Sequence, residues 1–354
     1  MSRGIFYSLG FSVVLGTVIV FSSSNWFFVW VGLELNTLSI IPLLCGSFSP
    51  RSVESSVKYF LVQSVSAAMI LNVIIIQAWL CSSWDVGYPL GFVMSLLIVF
   101  AVGLKLGLFP CHYWFPDVVQ GVSLINGLIL STWQKLAPFV ILINVVASLE
   151  VSLLVCMGAF SVFIGGWGGL NQTQVRKILA FSSVAHMGWI CATVGYSVGG
   201  ACVMMVIYVI INSGVFLLVS EFNVKSLSGV SRLVYTSYGG SIGLALGVLS
   251  LGGLPPLFGF SIKFVSLSFL VEGGSIFLSV ALVMGSLLSL FFYLRVAFNS
   301  ALVLFPQHSL VIFGWRSVRS CIGGGLTFRG LLLSVSIGLS LFGLLGLPFF
   351  ISLI

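Results

Sequence analysis

The sequence predicts an all-α polytopic membrane protein, and three observations carry that reading. Charged residues make up 6% of the 354 residues and hydrophobic residues 59%, whereas a soluble domain carries about 25% charge. Mean hydropathy is +1.22, with apolar runs long enough to cross about 30 Å of hydrocarbon recurring along the chain. The few charges that remain fall mostly in the connections between those runs and sort by sign. No strand-like alternation competes with helix, which excludes a β-barrel. No long polar, proline-rich or acidic stretch marks an attached soluble domain, so residues 1–354 read as a single transmembrane domain.

Taken in order, the apolar runs lie near 4–22, 25–46, 56–80, 88–109, 119–147, 149–168, 174–197, 200–220, 236–266, 273–299 and 331–353. That makes about eleven helices, the ninth interrupted by Gly252-Gly253-Leu254-Pro255-Pro256. The first run lacks a small-residue cleavage site and an Arg-rich transit pattern, so it is expected to be a retained span. With Arg3 and the N-terminus on side A, the A-side connections hold Arg51, Lys58, Arg176, Lys177, Lys225, Arg232, Arg316, Arg319 and Arg329. The B-side connections hold Asp85, Glu150 and Glu272 and no basic residue. The positive-inside rule makes side A the cytoplasm or matrix, with the N-terminus inside and the C-terminus outside.

This placement of charge excludes several functions. The net charge of +7 lies in connections rather than along a face, so it reports topology and not nucleic-acid binding. Seven cysteines are scattered without a C-x-x-C pair, and the three histidines are isolated, so a zinc or iron–sulfur site has no support. No G-x-G-x-x-G follows a strand-like run, and no nucleotide fold is expected.

The chain is organised around residues 100–135. A long apolar helix carries Lys105 near its end, Pro110 interrupts it, and an aromatic segment with His112 and Trp114 follows. Asp117 then precedes a second apolar stretch that carries Lys135. A lysine at mid-membrane costs roughly 2.5–3.5 kcal/mol on insertion scales. With Glu34 and Lys263, these make four ionisable residues well inside spans; Arg295 lies late in its helix and is placed to snorkel toward side A. One glutamate cannot neutralise three lysines, so some of them must spend time neutral or hydrated. A row of such groups reads as a proton relay, the alternative being structural ion pairs. Lys105 precedes Pro110 by five residues, and Lys263 follows Pro255-Pro256 by about two turns. Broken helices are tolerated at membrane depth only beside protein or water, and a pair of them points to inverted repeats around a midplane ion path. His186, with Ser182 and Ser183 a turn before it, either extends a hydrated path or is satisfied by a neighbouring helix. His112 reads as an interfacial residue beside the break, with a possible place on the same path, rather than a metal ligand. Trp114, Trp133 and Trp189 read as interface or packing residues.

Five segments resemble one family. KLGLFPCHYWFPDVVQG (105–121) is similar to a KLGLAPFHFWVPEVLQG-type segment, and GGLPPLFGFSIK (252–263) to GGLPPLTGF-x-x-K. WVGLELN (30–36), STWQKLAP (131–138) and FSSVAHMGW (181–189) match three further segments of the same family, in order. The family is NADH dehydrogenase subunit 2, the mitochondrially encoded, antiporter-like subunit of respiratory complex I. Cys111, Phe258 and Ile262 depart from its usual Phe, Thr and Pro, but the four charged positions are in place.

The resemblance implies an antiporter-like fold in a shortened form that lacks three N-terminal helices, in the mitochondrial inner membrane, with the N-terminus in the matrix and the C-terminus in the intermembrane space. It implies that Glu34 and Lys105 form a coupling ion pair, that Lys135 is the central relay lysine, and that Lys263 leads onward from the second broken helix. NADH, FMN, Fe–S clusters and ubiquinone would be handled by other complex I subunits, leaving no cofactor on this chain. Its partners would be neighbouring antiporter-like membrane subunits and lipids. A free-standing cation/proton antiporter and a purely structural spacer are the competing readings.

Overall fold

The computed structural model describes residues 3–148, 151–236 and 238–301, together with Gly338. The described residues form helices, with two isolated β-bridges between connecting segments. Ten predicted runs, from 4–22 to 273–299, each meet an apolar helix. Among the described residues, eight are long and apolar enough to cross a membrane, and Phe92–Leu106 and Gly239–Gly252 are apolar but shorter. Apart from Gly338, the run at 331–353 lies outside the described residues, as do Glu150, His308, Arg316, Arg319 and Arg329 and the predicted side of the C-terminus.

The chain divides into two compact units, Met1–Ser161 with Ile190–Val198, and Val162–Trp189 with Gly199–Ile354. The first holds α1 (Arg3–Ser22), α2 (Trp26–Leu44), α3 (Pro50–Cys81), α4 (Phe92–Leu106), α5 (Trp114–Gly121), α6 (Leu124–Ser131) and α7 (Trp133–Val145). It also takes the first part of α8 (Val151–Leu170) and the end of α9 (Val175–Val194). The second holds the rest of α8 and α9, then α10 (Val198–Glu221), α11 (Leu227–Thr236), α12 (Tyr238–Gly252), α13 (Phe258–Glu272) and α14 (Ile276–Ala301).

Two predicted helices differ in instructive ways. α3 begins two turns before the predicted residue 56, because Ser49 caps it and Pro50 opens it. The Ser49 hydroxyl oxygen accepts from Ser52 N at 3.2 Å, and proline's fixed φ suits the first helical position. The run predicted as one helix over 119–147 is three pieces. Val122 is extended, Ser123 caps α6 by accepting from Asn126 N at 3.4 Å, and Thr132 leaves helical geometry at φ −113 and ψ −72. Apolar periodicity is blind to both interruptions because the side chains on either side remain apolar.

The bridges report sidedness. In the first unit, Asn25 pairs with Asp85, and Trp26 N donates to Trp84 O at 2.8 Å. In the second, Gln174 pairs with Ser226, and Leu227 N donates to Thr173 O at 3.0 Å. Each bridge joins two connections that the charge pattern assigns to the same side: B for the first, A for the second. α11 is amphipathic and lies along that A-side connection, with Val230 and Leu233 buried and Ser228 and Arg232 exposed.

Candidate functional site

α4 ends where Gly107 adopts a left-handed φ of +73, after which Leu108 N donates to Gly103 O at 2.9 Å. At the broken end the carbonyl of Leu104 accepts from Gly107 N at 3.3 Å and from the Trp114 indole at 3.1 Å. Trp114, read from the sequence as an interface or packing residue, therefore has a specific role at the break. His112, also expected at the interface, is 1% exposed, its ring 4.0 Å from that of Tyr113. Burial here follows from the chain doubling back between α4 and α5.

Lys105 and Lys135 are 5% and 2% exposed. Lys105 Nζ faces Gln63 Oε1 at 3.5 Å, and Lys135 Nζ stands 4.5 Å from the centre of the Phe115 ring, a cation–π arrangement. Cys191 also lies within electrostatic reach of Lys135. The Glu34 carboxylate is felt electrostatically by both Lys105 and Tyr59. The expected Glu34–Lys105 ion pair is open: among the described residues, Glu34 makes no contact with Lys105 within 4.0 Å, and Glu34 Oε2 accepts from Thr37 at 3.2 Å instead. Polar side chains surround these charges. Tyr59 Oη donates to Gln134 Oε1 at 3.3 Å, and Gln134 Nε2 donates to Asn36 Oδ1 at 3.0 Å. Glu34 and Asn36 share α2, Gln134 and Lys135 share α7, and this network ties the two helices through α3.

The second unit has its own broken end. α12 stops at Gly252, Gly253 takes a left-handed φ of +80, and Lys263 Nζ donates to Gly252 O at 2.8 Å. One residue earlier, Leu251 O lies 3.2 Å from His186 Nε2, while His186 Nδ1 is 2.7 Å from Ser182 O. His186 and Lys263, picked separately from the sequence, thus meet consecutive carbonyls of the same helix terminus. That terminus carries partial negative charge, which a cation stabilises. Tyr208 stacks on His186 with ring centroids 5.5 Å apart, and Asn212 Nδ2 donates to Tyr208 Oη at 3.3 Å. Arg295 reaches the connection assigned to side A, the direction expected of it: its Nη2 donates to Gln172 O at 2.9 Å and Gly169 O at 3.3 Å, capping the C-terminal end of α8.

The structure therefore places Glu34, Lys105, Lys135 and His112 in the first unit and His186 and Lys263 in the second. Gln63, Tyr59, Gln134, Asn36, Tyr208 and Asn212 escape a reading that follows Lys, Arg, Asp, Glu and His only. Their signal is present in the sequence, as polar residues at helical spacing inside otherwise apolar runs. Among the described residues, no group of three from His, Cys, Asp and Glu is arranged to hold a metal ion.

Helices broken at glycine in each unit, with buried amines beside polar partners, define an antiporter-like membrane protein. Residues 23–289 match the family described as NADH:quinone oxidoreductase/Mrp antiporter, TM. Among solved structures, a chain of respiratory complex I from Thermus thermophilus with bound aureothin superposes with a TM-score of 0.82 at 25% identity, covering 98% of this chain and 80% of that one. A chain of the Mrp complex from Dietzia sp. DQ12-45-1b reaches the same TM-score of 0.82 at 19% identity, over 97% and 75% of the two chains, and shares the fold. NADH-ubiquinone oxidoreductase chain 2 of Patiria pectinifera is 65% identical over 354 residues, 100% of both chains. That of Pisaster ochraceus is 53% identical over 348 residues, 98% of both. The chain belongs to the NADH-ubiquinone oxidoreductase chain 2 family.

Proposed function

We propose that this chain carries protons across the mitochondrial inner membrane as a non-redox, membrane-arm subunit of NADH:ubiquinone oxidoreductase. The observation that carries this reading is the burial of Lys105 and Lys135 in one compact unit, with Gln63 Oε1 3.5 Å from Lys105 and the Phe115 ring 4.5 Å from Lys135. A buried amine of this kind changes its charge at a cost that its surroundings set, which is what a relay group needs. NADH, FMN, Fe–S clusters and ubiquinone belong on other subunits, and electron transfer there acts on this chain through electrostatics. Closing Glu34 onto Lys105 at about 4 Å would change their interaction by about 4 kcal/mol at an effective dielectric of about 20. Lys135 would feel that change through the Gln134–Tyr59 network. The N-terminus lies on the matrix side in this reading, as the basic A-side connections support.

Replacing Lys135 by Met in the intact complex tests the role. The expected result is fewer protons moved per NADH oxidised, measured in sealed vesicles, with the complex still assembled. An unchanged ratio would sink it. Lys263 supports a second role beside the first, because its bond to Gly252 O closes a helix end. Lys263→Met is therefore expected to lower the amount of assembled complex as well as its pumping.

A further inference from the structure

A cavity of about 660 Å³ lies in the connection between α10 and α12, within the roughly 300–1,000 Å³ of sites that take organic ligands. Phe222, Lys225, Ser226, Gly229, Arg232 and Leu233 are among the residues that line it. We infer that this cavity binds the phosphate headgroup of an anionic phospholipid from the side-A leaflet. Local sequence builds it at membrane level. α10 ends where Asn223 takes a left-handed φ of +50, which asparagine tolerates, and Val224 N donates back to Val219 O at 3.1 Å. Ser226 then pairs with Gln174, Val175 N donates to Lys225 O at 3.3 Å, and α11 follows with Val230 and Leu233 buried. α10 is long and apolar enough to cross a membrane and α12 is apolar, so the connection between them stands at the depth of lipid headgroups. A short amphipathic helix such as α11 lies in the plane of that layer.

The lining combines two surfaces that a lipid headgroup meets together. Lys225 and Arg232 are exposed, and among the described residues neither forms an ion pair and no acidic residue lines the cavity. Arg176 and Lys177 follow the Gln174 bridge closely and add positive charge on the same side. A guanidinium offers a planar fork of donors that fits phosphate oxygens, an ammonium a compact charge, and the Ser226 hydroxyl a further donor. Phe222 and Leu233 supply the apolar wall, against which the glycerol and the first carbons of an acyl chain pack. A free phosphate ion would use the cations and leave that wall in water, whereas an anionic phospholipid covers both. Basic pockets between the ends of transmembrane helices on the matrix or cytoplasmic side hold headgroups of this kind. Such a site is independent of proton transport and needs only the membrane-spanning fold.

The test uses the intact complex in detergent and two photoreactive phospholipids with the same acyl chains, one with an anionic phosphatidylglycerol headgroup and one with zwitterionic phosphatidylcholine. Cross-linked residues are located by mass spectrometry. The anionic probe is expected to label residues 222–233 at about ten times the level of the zwitterionic probe, and inorganic phosphate is expected to leave that labelling unchanged. In complex carrying Lys225→Gln together with Arg232→Gln, labelling is expected to fall to the zwitterionic level, with NADH oxidation unchanged. Equal labelling by the two probes, no labelling of the segment, or full anionic labelling in the double variant overturns the site. Displacement by inorganic phosphate would make the cavity a site for the free ion. Cross-links from the segment to a neighbouring subunit in place of lipid would make it a protein interface. Either result overturns the lipid assignment. The comparison of probes in the unaltered complex decides between these outcomes even where the double variant does not assemble.

Discussion

Gly253 and Gly259 carry a burden out of proportion to their size. At Gly253 the backbone is left-handed, and a Cβ would come within 3.1 Å of Lys263 Nζ and Cδ. At Gly259 a Cβ would overlap the Ser250 carbonyl, because α13 starts against the last turn of α12. Gly253→Ala is expected to cost about 1–2 kcal/mol for the left-handed backbone and to push Lys263 off its carbonyl. The measurement is the yield of NADH-active complex on a native gel. Gly259→Ala is expected to lower that yield further, since rigid backbone and not a flexible side chain stands in the way. At this scale the charged positions were legible, because four ionisable groups in apolar sequence stand out. Their partners were not, since Gln63, Tyr59 and Asn212 have no charge to mark them and become notable only when two helices bring them together.

At the scale of elements, the two breaks solve one problem with different chemistry. A helix ending inside a membrane leaves carbonyls that water cannot reach. α4 shares the Leu104 carbonyl between the Gly107 amide and an indole, whereas α12 presents two carbonyls to the side chains of His186 and Lys263. Trp114→Phe is expected to cost about 0.5–1.5 kcal/mol, the net worth of one hydrogen bond, read as a lower temperature of thermal inactivation with the proton ratio unchanged. The proline and glycine punctuation made both breaks visible in sequence. The divisions at Val122 and Thr132 were hidden, because a serine cap and a distorted threonine look like any other polar residue within an apolar run.

For the whole molecule, sidedness is the property that function needs. The pairing of Asn25 with Asp85 and of Gln174 with Ser226 agrees with alternating spans through each unit. An epitope inserted at Ser228, exposed on the connection before α12, is expected to bind antibody in inverted inner-membrane vesicles and not in intact mitoplasts; the opposite result would reverse the proposed orientation. The position of the apolar helices up to residue 299 was legible from hydropathy, because lipid imposes one minimum length on every crossing. The division into two compact units was not, since it depends on which apolar faces choose each other.

The 32-residue length of α3 has a further bearing. At 1.5 Å per residue it measures about 48 Å, against about 30 Å of hydrocarbon. Its opening turns, with Arg51, Glu54 and Lys58, therefore stand in the headgroup layer while its remainder is greased for the acyl chains. Such a helix works as a depth gauge: the charged collar resists sinking, and the apolar shaft above it resists rising. The subunit's vertical register in the bilayer, and with it the distance from open water to Lys105, is thereby set by one uninterrupted rod.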